Sequence, residues 1–199
     1  MQLFYSPNSP YARKCRIVAI EKDLTARVAF VETDPWSNPA ELVAANPLGM
    51  VPALIADDGL ALCDSKVICE FLDSLSPTTP LYPAAPRDRF AMLSKAVMAE
   101  GMIDAAVSCV IENLRRPEER RWTVWVERKE AAIKRALALL APTISSNTPL
   151  SIATITLGVA LDYISFRMPH IHWRKEHPQL VAWYEGVSLR PSFIATAPR

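Results

Sequence analysis

Glycine is scarce. The 199-residue chain has five, and none falls in a GxGxxG or Walker-type loop. Nucleotide binding by those phosphate cradles is therefore excluded. The four cysteines, Cys15, Cys63, Cys69 and Cys109, form no CxxC pair, and a chain of this length has no need of disulfide staples. They are expected to be reduced and buried. The three histidines, His170, His172 and His177, have no cysteine or carboxylate cluster beside them, so no metal site is expected. Charge of either sign is not in excess. A formal net charge of +1 gives no bulk attraction to nucleic acid or an anionic membrane. Long apolar runs are missing too: the stretch 152–166 is interrupted by Asp162 and is too short to span a bilayer. The opening Met1-Gln2-Leu3-Phe4-Tyr5 lacks a basic leader segment and reads as a strand. A cytoplasmic protein with neither a nucleic-acid nor a membrane partner is expected.

Against these absences, proline is plentiful, and Asn46-Pro47-Leu48-Gly49-Met50-Val51-Pro52-Ala53-Leu54 is the most constrained stretch. Two prolines and a glycine lead into a short apolar run, so a stiff loop enters a strand. Pro52 has no N–H where that strand begins. A cis bond between Val51 and Pro52 resolves the conflict and leaves the Val51 backbone facing outward. Such an edge can pair with another extended peptide.

In chain order, residues 2–5 read as a strand, Pro10 opens a helix to about Lys22, and residues 26–31 read as a second strand. This is a parallel βαβ unit. Residues 34–45 are an irregular or weakly helical connection. Strands at 53–55 and 60–63 flank Asp57-Asp58-Gly59, a hairpin signal. Asp64-Ser65 then caps a helix with apolar positions at Val67, Ile68, Phe71, Leu72 and Leu75. Pro77, Pro80, Pro83 and Pro86 mark a linker. Helices follow over 87–114, bent near Gly101, over 118–140 with Trp122 and Trp125 on the apolar face, over 151–168 as the buried central helix, and over 179–189. The fold class is α+β: an N-terminal thioredoxin-like βαβ-ββα domain (1–77), a proline-rich linker (78–86) and an all-helical C-terminal domain (87–199).

Three segments in this order resemble the cytosolic glutathione transferases across essentially the whole chain: Ser9-Pro10-Tyr11-Ala12-Arg13-Lys14, the 46–54 loop, and Asp64-Ser65-Lys66-Val67-Ile68. Trp183-Tyr184 followed by Arg190-Pro191 also matches the family's C-terminal end. The resemblance implies a serine-type, detoxification-class transferase with glutathione as co-substrate, no metal, and a homodimeric assembly. It places the cysteine part of glutathione on Val51, ahead of Pro52. The γ-glutamyl ammonium falls to Asp64 and the γ-glutamyl carboxylate to Ser65, whose hydroxyl and N–H head a helix. The implied catalytic residue is Ser9, whose hydroxyl would favour the glutathione thiolate. Tyr5 and Asn8 are the rivals, being slots that other classes use. Tyr11, Met98, Met102 and Phe166 are candidates for the apolar wall of the second-substrate pocket, though ordinary core packing accounts for them equally.

Two residues depart from the family pattern. Met50 stands where a polar residue is common, and Thr154 replaces an aspartate at the third position of the buried helix; its hydroxyl can still serve the cap, in a weaker capping box. Other enzymatic outcomes on the same site are lyase or peroxidase chemistry. The contrasting class is a non-catalytic relative acting in stress response or protein interaction. A thiol-disulfide oxidoreductase is disfavoured by serine in the slot.

Overall fold

The computed structural model describes residues 1–198, and these divide into two compact units, Met1–Pro83 with the tail from Arg190, and Ala84–Leu189. The expected helical domain included that tail.

In the first unit, β1 (Gln2–Tyr5), α1 (Pro10–Glu21) and β2 (Ala29–Glu32) form the βαβ unit. The second strand starts later than 26–31, because Arg27 and Val28 turn back on the Leu24 carbonyl. A 3-10 turn (Pro35–Ser37) and α2 (Ala40–Ala45) fill the connection, followed by β3 (Ala53–Ile55), β4 (Ala61–Cys63) and α3 (Ser65–Ser74). The sheet order is β2-β1-β3-β4; β1 runs parallel to β2 and antiparallel to β3. Strand alternation separates its two faces. Phe4 and Ala53 join Leu42, Ala45 and Val51 in one apolar cluster, while Leu3 and Leu54, fully buried, face the other way.

The helical unit holds α4 (Pro86–Arg115), α5 (Thr123–Leu140), α6 (Ile152–Arg167), α7 (Trp173–Glu176) and α8 (Pro178–Ser188). The tail carries α9 (Pro191–Ala195), which packs on α1. Helix α4 runs unbroken through Gly101. The expected helix over 118–140 begins only at Thr123, after a 3-10 turn at Glu118–Arg120. The buried Glu112 carboxylate explains this: it accepts the Trp122 N–H at 2.7 Å and pairs with Arg116 at 3.0 Å. Trp122 is left exposed rather than on an apolar helical face. Among the described residues no helix is long and apolar enough to cross a membrane, and no group of three or more His, Cys, Asp or Glu could hold a metal ion.

Helix α6 is buried nearly all round, as its sequence predicts. Its capping box is complete, with the Thr154 hydroxyl serving the cap. The Ser151 hydroxyl accepts the Thr154 N–H at 3.3 Å, and the Thr154 hydroxyl accepts the Ser151 N–H at 2.8 Å. A hydroxyl at this position reaches back as a carboxylate would. Thr154→Val keeps the shape and removes that acceptor. It should lower stability by ~1 kcal/mol, read as a melting temperature about 2–4 °C lower.

The tail is held by a carboxylate. Glu21 accepts from Arg190 at 2.8 and 2.6 Å and from the Ser192 hydroxyl. Burial pushes the Glu21 carboxyl up, but the Arg190 and Ser192 hydrogen bonds outweigh it and hold the group below its ordinary 4.5. Its stabilising contribution is therefore complete above that ordinary value and is lost as pH falls through the lower folded-state value. Glu21→Gln should melt earlier than wild type at pH 7. The difference should shrink once pH drops below about 4.5 and vanish in stronger acid, as followed by thermal denaturation across pH.

Candidate active site

Strand register gathers the candidates. Phe4 pairs with Ala53, and Ala53 pairs with Cys63. The chain leaving β1 (6–9), the chain entering β3 (51–52) and the chain leaving β4 (64–65) therefore meet at one end of the sheet. A thiol contact supports this: the Cys15 Sγ of α1 lies 3.6 Å from the Ser65 carbonyl oxygen at the start of α3.

Ser9 is the N-cap of α1, half-buried, with extended backbone. Its Oγ accepts the Ala12 N–H at 3.2 Å. That bond uses a lone pair and leaves the hydroxyl proton to be donated. Pro10 at the first helical position fixes the approach of the chain. Capping and donation thus coexist in one side chain.

The 46–52 loop is clamped from inside by the buried Asn46. Its Oδ1 accepts the Leu48 N–H at 3.1 Å, and its Nδ2 donates to the Met50 carbonyl at 2.8 Å. Gly49 has φ +64°, and a Cβ there would stand 2.8 Å from the Asn38 Oδ1. Both the conformation and the close approach call for glycine. The Val51–Pro52 bond is cis, as expected. Among the described residues the Val51 N–H and C=O make no hydrogen bond, because β3 begins only at Ala53. They are the open edge predicted from the sequence.

Asp64 has φ +70°, an uncommon conformation for a residue with a Cβ. It is exposed, and its Oδ1 accepts the Lys66 N–H at 2.8 Å, capping α3. Ser65, the first residue of α3, is buried.

The rivals of Ser9 fare differently. The Tyr5 hydroxyl meets Glu32 at 3.2 Å, and the Arg16 guanidinium lies 4.4 Å from the Tyr5 ring centroid. Tyr5 is thus engaged at the β2 side of the sheet. Asn8 is half-buried and is not without an interaction of its own. Of the second-substrate candidates, Tyr11 is half-buried in the first unit. Met98 and Phe166, in the helical unit, are partly exposed, whereas Met102 is fully buried core. The cysteines are not all buried as expected: Cys63 is exposed at the end of the edge strand β4. The Asn46 clamp and the Asn38–Gly49 contact were missed, although Asn-Pro before a glycine turn was their signal.

The family model described as glutathione S-transferase, N-terminal domain, matches residues 8–75. A glutathione transferase family member from Pseudomonas fluorescens Pf-5, solved with bound glutathione, is 38% identical, covers 100% of this chain and 98% of its own, and superposes with a TM-score of 0.93. The chain belongs to the glutathione transferase family. A second transferase structure, from Methylobacillus flagellatus KT with glutathione bound, is 35% identical over 100% of this chain and 99% of its own, with a TM-score of 0.91. Among curated proteins, an Escherichia coli K12 relative named uncharacterized GST-like protein YibF is 29% identical over 100% of this chain and 98% of its own. The thioredoxin-like half of this transferase family member and its helical half therefore follow the family architecture throughout.

Proposed function

We propose that this chain binds glutathione at the sheet end formed by Ser9, Val51, Pro52, Asp64 and Ser65, and transfers its thiolate to a small electrophile. The observation that carries the reading is that, among the described residues, the Ser9 Oγ accepts one hydrogen bond and donates none while the Val51 backbone is unpaired. Glutathione's cysteine would add to that edge as a short strand, aiming its sulfur at Ser9. Asp64 would meet the γ-glutamyl ammonium, and Ser65 its carboxylate.

The energetics suffice without a general base. A free thiol with pKa ~8.5 is only a few per cent ionised at neutral pH, and lowering it by two units takes ~2.7 kcal/mol. A hydrogen bond to a charged acceptor supplies ~1.5–3 kcal/mol. The N-terminus of α1 adds ~0.3–1 kcal/mol. The thiolate then attacks the electrophilic carbon. A C–S bond forms, and the leaving group departs with its electron pair.

Tyr11 in the first unit, and Met98 and Phe166 in the helical unit, are each proposed as apolar contacts for an electrophile within their own unit; Met102 is core there. The assembly proposed is a homodimer, the family's usual state, which sedimentation would read as twice the chain mass. The test of function is retention on immobilised glutathione followed by assay with a generic aromatic halide. Retention with conjugate formation is expected. Failure to be retained would overturn the reading.

A further inference from the structure

Two thiols touch in the interior of the first unit. Cys15 of α1 and Cys69 of α3 are both fully buried, and neither is in a disulfide. The Cys69 thiol donates to the Cys15 Sγ at 3.7 Å, and the Cys15 thiol donates to the Ser65 carbonyl at 3.6 Å. The chain of contacts continues beyond Ser65. Its carbonyl belongs to the same planar peptide unit as the Lys66 N–H, which donates to the Asp64 Oδ1 at 2.8 Å. The thiol pair is thus tied, through one rigid peptide, to both residues proposed for the γ-glutamyl group. Among the described residues the other two cysteines make no sulfur–sulfur contact. Cys109 donates to the Val126 carbonyl at 3.8 Å in the helical unit, and Cys63 is exposed at the end of β4.

We propose that Cys15 and Cys69 form a reversible disulfide when the protein meets a hydroperoxide, and that this loosens the head of α3 and its grip on glutathione. The second half rests on the glutathione reading above; the first half does not. Cys15 is the attacking sulfur, because the Cys69 thiol proton already points at it and stabilises negative charge there. A Cys15 S–O bond forms as the O–O bond of hydrogen peroxide breaks, and the departing hydroxide takes the Cys15 proton and leaves as water. The Cys69 sulfur then attacks the Cys15 sulfenic sulfur. An S–S bond forms, the S–O bond breaks, and the hydroxide leaves with the Cys69 proton as a second water. The two thiols lose two electrons between them, and the peroxide gains them. The disulfide has no S–H, so the Ser65 carbonyl loses its thiol donor. Burial admits only a small oxidant, during local opening of α1 from α3, so the reaction takes minutes to hours.

The test uses the full chain carrying Cys63→Ser, which removes the exposed thiol. The protein is treated with hydrogen peroxide, unfolded in iodoacetamide, digested and read by mass spectrometry. A linked peptide joining Cys15 to Cys69 should appear and should vanish with dithiothreitol, while Cys109 is recovered alkylated. Glutathione itself would reduce the bond, so binding is read with S-methylglutathione, whose sulfur is blocked. The oxidised protein should bind it about fivefold more weakly than the reduced one, the scale of one lost hydrogen bond, with recovery on reduction. Cys15→Ala lacks the attacking sulfur, so peroxide should leave its S-methylglutathione affinity unchanged. The proposal is overturned if Cys15 and Cys69 are both recovered alkylated, or if the linked peptide forms and the affinity does not move. It also fails if Cys15→Ala still responds to peroxide. A reduced protein that does not bind S-methylglutathione overturns the glutathione reading, whereas the disulfide stands or falls on the linked peptide.

Discussion

Ser9→Ala lowers turnover about tenfold at pH 7 while the affinity for glutathione changes by less than about threefold. Without the hydroxyl, the bound thiol returns toward ~8.5, and the ionised fraction at neutral pH falls roughly twenty-five-fold. The remaining thiolate is the more basic nucleophile, which recovers part of the loss. The pH profile separates this role from a structural one. Wild-type rate should level off near neutrality, whereas the variant should keep rising until about pH 9, where the two converge to within a few-fold. A variant that merely lost its helix cap would be slower by a constant factor across the range. The binding contacts proposed at Val51, Asp64 and Ser65 are untouched by the change, so isothermal titration with glutathione should see little of it.

Asp64→Asn weakens glutathione binding by about 10- to 100-fold, the scale of a hydrogen bond to a charged group, ~1.5–3 kcal/mol. Asparagine keeps the other duties of the position. It caps a helix about as well as aspartate, and it tolerates the φ of +70° found there. The unfolding midpoint should therefore stay near that of wild type, while calorimetric titration registers the lost ammonium partner. A dissociation constant within twofold of wild type would remove Asp64 from the site.

Much of this was legible in the chain because local rules and tertiary contacts agree. Pro10 after Ser9, Asp57-Asp58-Gly59 between two short apolar runs, and Ser151 ahead of an all-apolar helix each name their own structure, and each forms as read. The loop of 46–52 was legible for the same reason: two prolines and a glycine leave few conformations. What escaped were effects of residues distant in sequence. Glu112 reaches ten residues along to the Trp122 amide and delays α5, and no periodicity within 118–140 encodes that. Cys63 was read as buried from its residue type, but its place on an edge strand decides its exposure. The tail from Arg190 packs on α1 because Glu21 and Arg13 meet it. Arg13 donates to the Phe193 carbonyl at 3.3 Å and to the Thr196 hydroxyl at 3.3 Å. Those partners lie more than 160 residues away, beyond any local pattern.

The most direct measurement is the ionisation of glutathione's own sulfur in the complex, followed by ultraviolet absorbance of the thiolate as pH is varied, in wild type and in Ser9→Ala. The account predicts an apparent pKa near ~6.5 in the wild-type complex and a rise toward ~8.5 in the variant, short of it by what the α1 N-terminus still contributes. Equal values in the two complexes would contradict it, for the serine at the head of α1 would then have no hold on the thiol.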